Sequence, residues 1–309
     1  MASMQISIIV VSWRSRDLLR ACLESLRAHA SFCQQIVVDN ASGDDTSAMV
    51  RRHFSHVRLL SLGENRGYAG GCNRGATVAR GETLLFLNPD IRALNGSVST
   101  LAATLAAHEH AAAAGGLLLD PDGSPQARYG PRDLPGPARL ARGLLMGAPA
   151  VAPPSPDGPV RQVAQVAGAC LMVRRQIFRR LGGFDEQFHP VFFEDVDLCH
   201  RLGKAGHLIL HVPAAPFTHQ GGGCVRRMKP LDHYAAWFDN LVRYARKHHG
   251  SGPAAALRAL TLPAATLRLA ATLTPQGGGP FGRGPRAAAC LQIASRSLTG
   301  WPRPSQFTS

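Results

Sequence analysis

The sequence predicts an α/β fold on a parallel sheet, and three observations carry that reading. Across the first 120 residues, short apolar runs rich in β-branched residues alternate with amphipathic stretches of helical period. The first run, Ile6 to Ser12, is apolar almost without interruption, as a central strand buried on both faces must be. Finally, 45% hydrophobic and 17% charged residues describe a chain able to bury a core, which rules out wholesale disorder.

Each element follows in order. After Ile6–Ser12, Ser15 is placed to cap a helix whose Leu19, Cys22, Leu23 and Leu26 form one apolar stripe. Gln35–Val38 reads as a second strand ending in Asp39 and Asn40, Asp44–Phe54 as a helix, and Val57–Leu62 as a third strand. Gly67–Gly75 reads as a glycine-rich turn running into a helix that Gly81 closes. Thr83–Leu87 is a fourth strand, ending in Asn88, Pro89 and Asp90. Strands joined by helices of about ten residues imply right-handed βαβ units. In such sheets ligands gather at the carboxyl ends of strands, where strand order reverses, which singles out Asp39 and Asp90.

From Pro121 to Pro159 the chain holds ten of its 22 prolines and neither periodicity, so an irregular excursion is expected. Pattern resumes with a strand over Gln165–Val173, a short helix over Arg175–Leu181 and a turn at Gly182-Gly183-Phe184-Asp185. A helix over Phe193–Ala205 and a strand over Leu208–Val212 follow. Beyond Gly252 the composition shifts to Ala, Leu, Thr, Pro and Arg. There is no internal repeat. The expected organisation is one domain over residues 1–250, with a first half to about 120, a Pro-rich insertion over about 121–160 and a second half over about 161–250. A basic tail, 251–309, completes it.

The net charge is +14, nearly all of it arginine, since Lys204, Lys229 and Lys247 are the only lysines. Residues 251–309 carry six arginines and no acid, and the preceding 250 carry 28 basic against 20 acidic residues, a net +8. An Arg-rich surface suits phosphate or anionic lipid. Nucleic-acid binding is disfavoured, because interleaved aromatics, lysine runs and a reading helix are all missing. The seven cysteines are scattered singly, which argues against a zinc ribbon or a disulfide framework and for a reduced cytosol. No basic n-region precedes Ile6–Val11, and no stretch of 18 uninterrupted apolar residues occurs, so neither a signal peptide nor a spanning helix is expected.

Several residues are candidates for chemistry. Asp90, at the lip of a buried strand, suits a divalent cation bridging a diphosphate, or simply a turn after Pro89. Asp39 suits a nucleobase imide or ribose hydroxyls, or else a capping role. Gly67-Tyr68-Ala69-Gly70-Gly71 fits neither GxGxxG nor GxxxxGK[ST], though Asn65, Arg66 and Asn73 flank it with groups suited to a diphosphate or a sugar. Glu194-Asp195-Val196-Asp197 opens a helix after Phe192 and Phe193. There the choice lies between macrodipole capping and a general base desolvated by an apolar wall. Successive helical residues diverge by about 100°, so at most two of these acids face one substrate. Asp197 is expected to pair with Arg201. His219 comes after the last expected strand, and a glycine segment with Arg226, Arg227 and Lys229 follows it, suited to folding over a diphosphate.

Taken together the segments resemble an inverting family 2 glycosyltransferase of GT-A fold, in its bacterial rhamnosyltransferase-like branch. The resemblance spans about Ile6 to Gly250 and rests on ordered motifs. They are Ile8 to Trp13, Val38-Asp39-Asn40-Ala41-Ser42, Asn65 to Asn73, Leu87-Asn88-Pro89-Asp90, Gly182 to Asp185 with Phe193 to Asp197, and His219. It implies a GT-A-type mixed sheet flanked by helices, with a C-terminal helical tail. It also implies that Val11, Ser12, Asp39, Asn40, Asn65, Gly67, Asn73, Asn88 and Arg226 line the nucleotide-sugar site. Asp90 stands for the last Asp of the family's Asp-x-Asp motif, and His219 matches a metal ligand for Mg2+ or Mn2+. Asp195 matches the catalytic base, with Glu194 beside it. Asn88 departs from Asp-x-Asp, leaving one carboxylate fewer for the metal. His219-Gln220-Gly221-Gly222-Gly223-Cys224 departs from the family's His-x-x-Gly-x-Ser.

The implied reaction is transfer of rhamnose from dTDP-rhamnose, with inversion, to a lipid-linked or polysaccharide acceptor in cell-envelope synthesis. A UDP-sugar donor is the alternative, and a sugar nucleotidyltransferase a more distant one. The tail places Leu257, Leu260, Leu262, Leu267, Leu269 and Leu273 among Arg258 and Arg268. That pattern suits either the headgroup layer of an anionic membrane or a helical pair packed on the protein.

Overall fold

Strand β1 (Ile6–Ser12) forms as predicted and is buried at every position. The computed structural model describes residues 6–147, 152–223, 225–271 and 283–299. Helix α1 (Arg16–His29) buries Leu19, Cys22, Leu23 and Leu26, the predicted stripe. Each of its leucines removed from water contributes about 1.5–3 kcal/mol. Ser15 holds the N-cap position, but its hydroxyl pairs with Ser12 Oγ at 2.8 Å and does not cap the helix.

The chain continues through β2 (Gln34–Asp39), α2 (Thr46–His53), β3 (Arg58–Ser61), α3 (Gly67–Thr77) and β4 (Thr83–Leu87). A short β5 (Ile91–Ala93), α4 (Ser97–Ala107) and β6 (Ala111–Leu119) come next. The Pro-rich stretch is less irregular than expected, since α5 (Pro137–Met146) starts with Pro at its first position, where the missing N–H has no intrahelical partner to lose. Strands β7 (Arg161–Val163) and β8 (Cys170–Arg174), helices α6 (Arg175–Arg180) and α7 (Glu194–Lys204), and the long β9 (Leu208–His219) follow. Helices α8 (Pro230–His249), α9 (Ser251–Ala259), α10 (Thr261–Ala271) and α11 (Arg283–Thr299) close the described chain.

The strands form one mixed sheet in the order β3-β2-β1-β4-β8-β6-β9-β5, with β7 beside β9. β3, β2, β1 and β4 run parallel, while β8 enters antiparallel between β4 and β6. The order reverses at β1, so the carboxyl ends of β1, β2 and β4 border a switch point, where Asp39 and Asp90 lie.

Two features differ from the sequence reading for physical reasons. The glycine cluster is the first two turns of α3 itself, because its glycines serve packing. A Cβ on Gly71 would lie 2.6 Å from Val11 Cγ1, and one on Gly75 2.4 Å from Ile9 Cγ2, so only glycine lets α3 lie this close to β1. Likewise β9 does not stop at Val212. Its far half is held by β6 and β5, which makes His219 the strand's last residue.

The described residues fall into two units. The first lies within 1–134, 151–187 and 194–224 and contains the sheet; the second lies within 135–150, 188–193 and 225–309. In the second, Arg268 donates to Gly143 O and Leu144 O at the end of α5 and lies over the Trp237 and Phe238 rings. Phe193 packs against Trp237 and Tyr244, and Phe192 against His233. Fourteen basic residues against two acidic give this unit a net +12, whereas twenty against eighteen give the first unit +2. The basic character thus extends beyond the tail into α5, α8 and the turn Val225–Arg227. Among the described residues no helix is long and apolar enough to cross a membrane. The expected features at Leu273 and Cys224 lie outside the described residues.

Candidate active site

Asp90 and His219 meet because β5 pairs with β9. Ile91 stands opposite His219 in that ladder, and Gln220 N donates to Asp90 O at 3.1 Å. Both side chains are withdrawn from water. His219 Nε2 stands 3.4 Å from Asp90 Oδ1, while Asp90 Oδ2 accepts the Gly223 N–H at 2.9 Å. A Cβ on Gly223 would fall 3.0 Å from that oxygen, so the glycine admits the backbone donor. Burial pushes the Asp90 carboxyl up, but His219 and the Gly223 N–H outweigh it and hold the group below the usual carboxylate range. The other face of the imidazole meets Gln126, whose Oε1 lies 2.8 Å from Nδ1, and the Tyr129 ring packs edge-on at 4.4 Å between centroids.

Asp195 is reached through the next strand. Asn88 N donates to Ala169 O at 3.0 Å, continuing the β4–β8 ladder, and the neighbouring Gly168 N–H donates to Asp195 Oδ2 at 2.8 Å. Val196 N–H donates to Oδ1 at 2.8 Å. Burial is the main influence on this carboxyl and raises it above its ordinary value against the pull of those N–H groups. Tyr68 Oη donates to Gly168 O at 2.8 Å, tying the same peptide to α3. Burial holds this phenol well above its ordinary value, so it stays a donor. Glu194 is buried beside Asp195, and Asp197 makes the predicted ion pair with Arg201 at 2.8 Å. Arg201 also donates to Leu181 O and Gly183 O, each at 2.8 Å, and so fastens α7 to the glycine turn.

Asp39 ends β2 level with Ser12. Its Oδ1 accepts the Ser42 N–H and its Oδ2 the Ser47 hydroxyl. Val11 is buried one position earlier, and the Ser12 hydroxyl faces Ser15. The asparagines serve the protein's own backbone. Asn40 donates to Asn65 Oδ1 and Gly67 O and accepts the Arg66 N–H; Asn73 donates to Phe184 O and Glu186 Oε1 and accepts the Phe184 N–H. Gly67 takes φ +69°, which glycine adopts without strain at the entry to α3. Asn88 is half-exposed at the lip of β4, and Arg226 is exposed in a turn of the second unit. An open cleft of about 710 Å³ beside β3, lined by Leu60, Leu62, Glu64, Arg66 and Arg74 among others, holds none of the acids described above. No local pattern marks Gln126 or Gly168 as parts of the site. Each acts on a partner far along the chain.

A family model described as glycosyl transferase family 2 matches residues 7–182, more than half of the chain. The chain belongs to glycosyl transferase family 2. Among its relatives, an N-acetylglucosaminyl-diphospho-decaprenol L-rhamnosyltransferase of Mycobacterium tuberculosis is 33% identical over 248 residues, covering 72% of this chain and 78% of that protein. The rhamnosyltransferase WbbL of Escherichia coli is 27% identical, over 69% of this chain and 82% of its own. Of solved structures, GalNAc-T7 with UDP, GalNAc and Mn2+ superposes with a TM-score of 0.62 at 13% identity, over 97% of this chain and 56% of that one. A mannosyltransferase from Pyrobaculum calidifontis, with GDP-Man and Mn2+, gives 0.53 at 19% identity over 95% and 87%. At these identities the likeness shows the fold, a GT-A-type mixed sheet flanked by helices.

The Asp90–His219 pair fits a divalent cation. His219 Nε2 is buried without a hydrogen-bond partner and faces a carboxylate, an arrangement that a shared cation satisfies. Among the described residues no third His, Cys, Asp or Glu joins them. Two protein ligands suit Mg2+ or Mn2+, which take their remaining ligands from phosphate and water.

Proposed function

We propose that this glycosyltransferase moves L-rhamnose from dTDP-rhamnose, with inversion, to a lipid-linked glycan intermediate in cell-envelope polysaccharide synthesis. The observation that carries the reading is the 33% identity to the mycobacterial rhamnosyltransferase over 72% of this chain, a protein whose name specifies a diphospho-decaprenol acceptor. Asp195 acts as the base. Two backbone N–H partners hold its carboxylate in one orientation, and burial raises its proton affinity, which suits it to take the proton of an acceptor hydroxyl. That hydroxyl attacks the anomeric carbon from the face opposite the nucleotide, so a single base suffices and no glycosyl-enzyme intermediate forms. Glu194 borders the acceptor.

Asp90 and His219 hold a divalent cation, Mg2+ or Mn2+, which when bound neutralises charge developing on the diphosphate leaving group. Asp39 and Val11 border the nucleobase at the switch point of the sheet, with Ser12, Asn40, Asn65, Gly67, Asn73 and Asn88 shaping the surrounding loops. The basic helices attract an anionic membrane surface, consistent with a cytoplasmic enzyme working at the inner face of the cell membrane.

The test is a panel of nucleotide sugars scored by thermal stabilisation and by transfer to a polyprenyl-diphosphate GlcNAc acceptor. dTDP-rhamnose is expected to stabilise and to turn over, and a response confined to UDP-sugars would refute the donor. Asp195→Asn should bind donor as the wild type does and lose transfer; turnover at the wild-type rate would refute the base. Asp90→Ala should abolish Mn2+-dependent binding of the nucleoside diphosphate in calorimetry.

A further inference from the structure

The carboxamide of Gln126 has its orientation imposed by chemistry. Its Nε2 lies 2.7 Å from Asp120 Oδ1 and 2.7 Å from His219 O, two oxygens that only accept. The amino group must therefore face them, which leaves Oε1 at 2.8 Å from His219 Nδ1. A carbonyl oxygen accepts only, so Nδ1 carries a proton. Gln126 is itself buried, as are both side chains of the Asp90–His219 pair.

We propose that Gln126, oriented by Asp120, is a positioning residue that locks His219 in the Nδ1–H form and so reserves Nε2 for the cation shared with Asp90. This deepens the reading of Asp90 and His219 as the cation's ligands. The physical need is clear. A neutral imidazole left to choose would put its single proton on Nε2, where the Asp90 carboxylate accepts it, and that proton would occupy the position the cation needs. The acceptor at Nδ1 removes this choice. The device is built across the fold, since Gln126 follows β6 in the turn that starts at Asp120 whereas His219 ends β9, with Gln126 N donating to Leu118 O at 2.9 Å to hold the turn in place.

The test uses the full chain and two variants. Gln126→Leu removes the acceptor. Gln126→Glu combined with Asp120→Asn keeps an acceptor at Nδ1 and lets the new amide at position 120 donate to the second carboxylate oxygen, while giving up the bond to His219 O. Long-range 15N–1H spectra at about pH 8, where imidazoles are ordinarily neutral, read the protonated nitrogen of His219, assigned by its loss in His219→Gln. Nδ1–H is expected in the wild type and in the double variant, and Nε2–H in Gln126→Leu. Titration with Mn2+ alone, followed by the electron paramagnetic resonance of the free ion, should show affinity about 10- to 100-fold weaker in Gln126→Leu, as for lost outer-shell partners of metal-bound histidines. The double variant should bind Mn2+ more tightly than Gln126→Leu. A merely structural amide would weaken the double variant equally, and that result, or an unchanged Nδ1–H form in Gln126→Leu, would overturn the proposal. Equal Mn2+ affinity in wild type and Asp90→Ala would instead refute the cation site, with the tautomer spectra still deciding the role of Gln126.

Discussion

Replacing Gly168 by alanine tests the base through its positioning rather than by its removal. Gly168 lies outside the left-handed region, so alanine meets no backbone penalty there. The new Cβ would fall 3.0 Å from Asp195 Cβ and 3.3 Å from Oδ2, tighter than ordinary contact, so the carboxylate must give way by a few tenths of an ångström. That shift strains the 2.8 Å bond from the Gly168 N–H. A hydrogen bond to a charged group contributes about 1.5–3 kcal/mol, and its partial loss together with the displaced base should lower kcat by about 10- to 100-fold. Stability should change little, because the gain of about 0.4–1 kcal/mol from a stiffer unfolded chain offsets the crowding. The pH profile gives the sign. The Gly168 N–H opposes the burial that raises Asp195, so weakening it moves the acid limb of kcat/KM further up in pH. Transfer rates across the acid range, beside thermal melts, measure both effects. A wild-type kcat with an unmoved acid limb, in a protein of unchanged melting temperature, would refute the reasoning.

Other substitutions check the framework around the site. Gly75→Ala puts a methyl 2.4 Å from Ile9 Cγ2 and should destabilise by about 1–3 kcal/mol, whereas Gly203→Ala on α7 meets open space and should stabilise by about 0.4–1 kcal/mol. Chemical denaturation of both variants reads the opposite signs, and stabilisation by both would contradict the packing role of the α3 glycines. Arg201→Met takes the guanidinium from the fully buried Asp197 carboxylate and releases Leu181 O and Gly183 O. The expected loss is about 3–5 kcal/mol, visible as a lowered denaturation midpoint, and a change under about 1 kcal/mol would show the pair to be dispensable.

Local pattern carried much of this protein. The buried stripe of α1, the bounds of β1 and β4 and the Asp197–Arg201 pair all lie within the reach of one helix turn or one strand, so periodicity and spacing suffice to see them. The limits of such pattern appear at α3. Its glycines look like a turn because glycine is costly in a helix, and only the approach of Val11 and Ile9 reveals why the helix tolerates them. The roles of Asn40 and Asn73 within the fold are hidden for a similar reason, since the backbone groups they satisfy come from other segments.

The ordered motifs of the sequence therefore determined the family, the GT-A-type sheet and the candidate acids Asp39, Asp90 and Asp195. Tertiary structure alone decided what surrounds them. β5 pairs with β9 to bring Asp90 to His219, the Gly168 peptide reaches Asp195 from β8's edge, and Gln126 closes on His219 across 93 positions of chain. These partners are joined by strand pairing and by buried hydrogen bonds, whose geometry exists only once the distant segments have met. The excess charge followed the same course. Read along the chain it is a property of the tail, but folding gathers α5, α8 and the following helices into one unit of net +12.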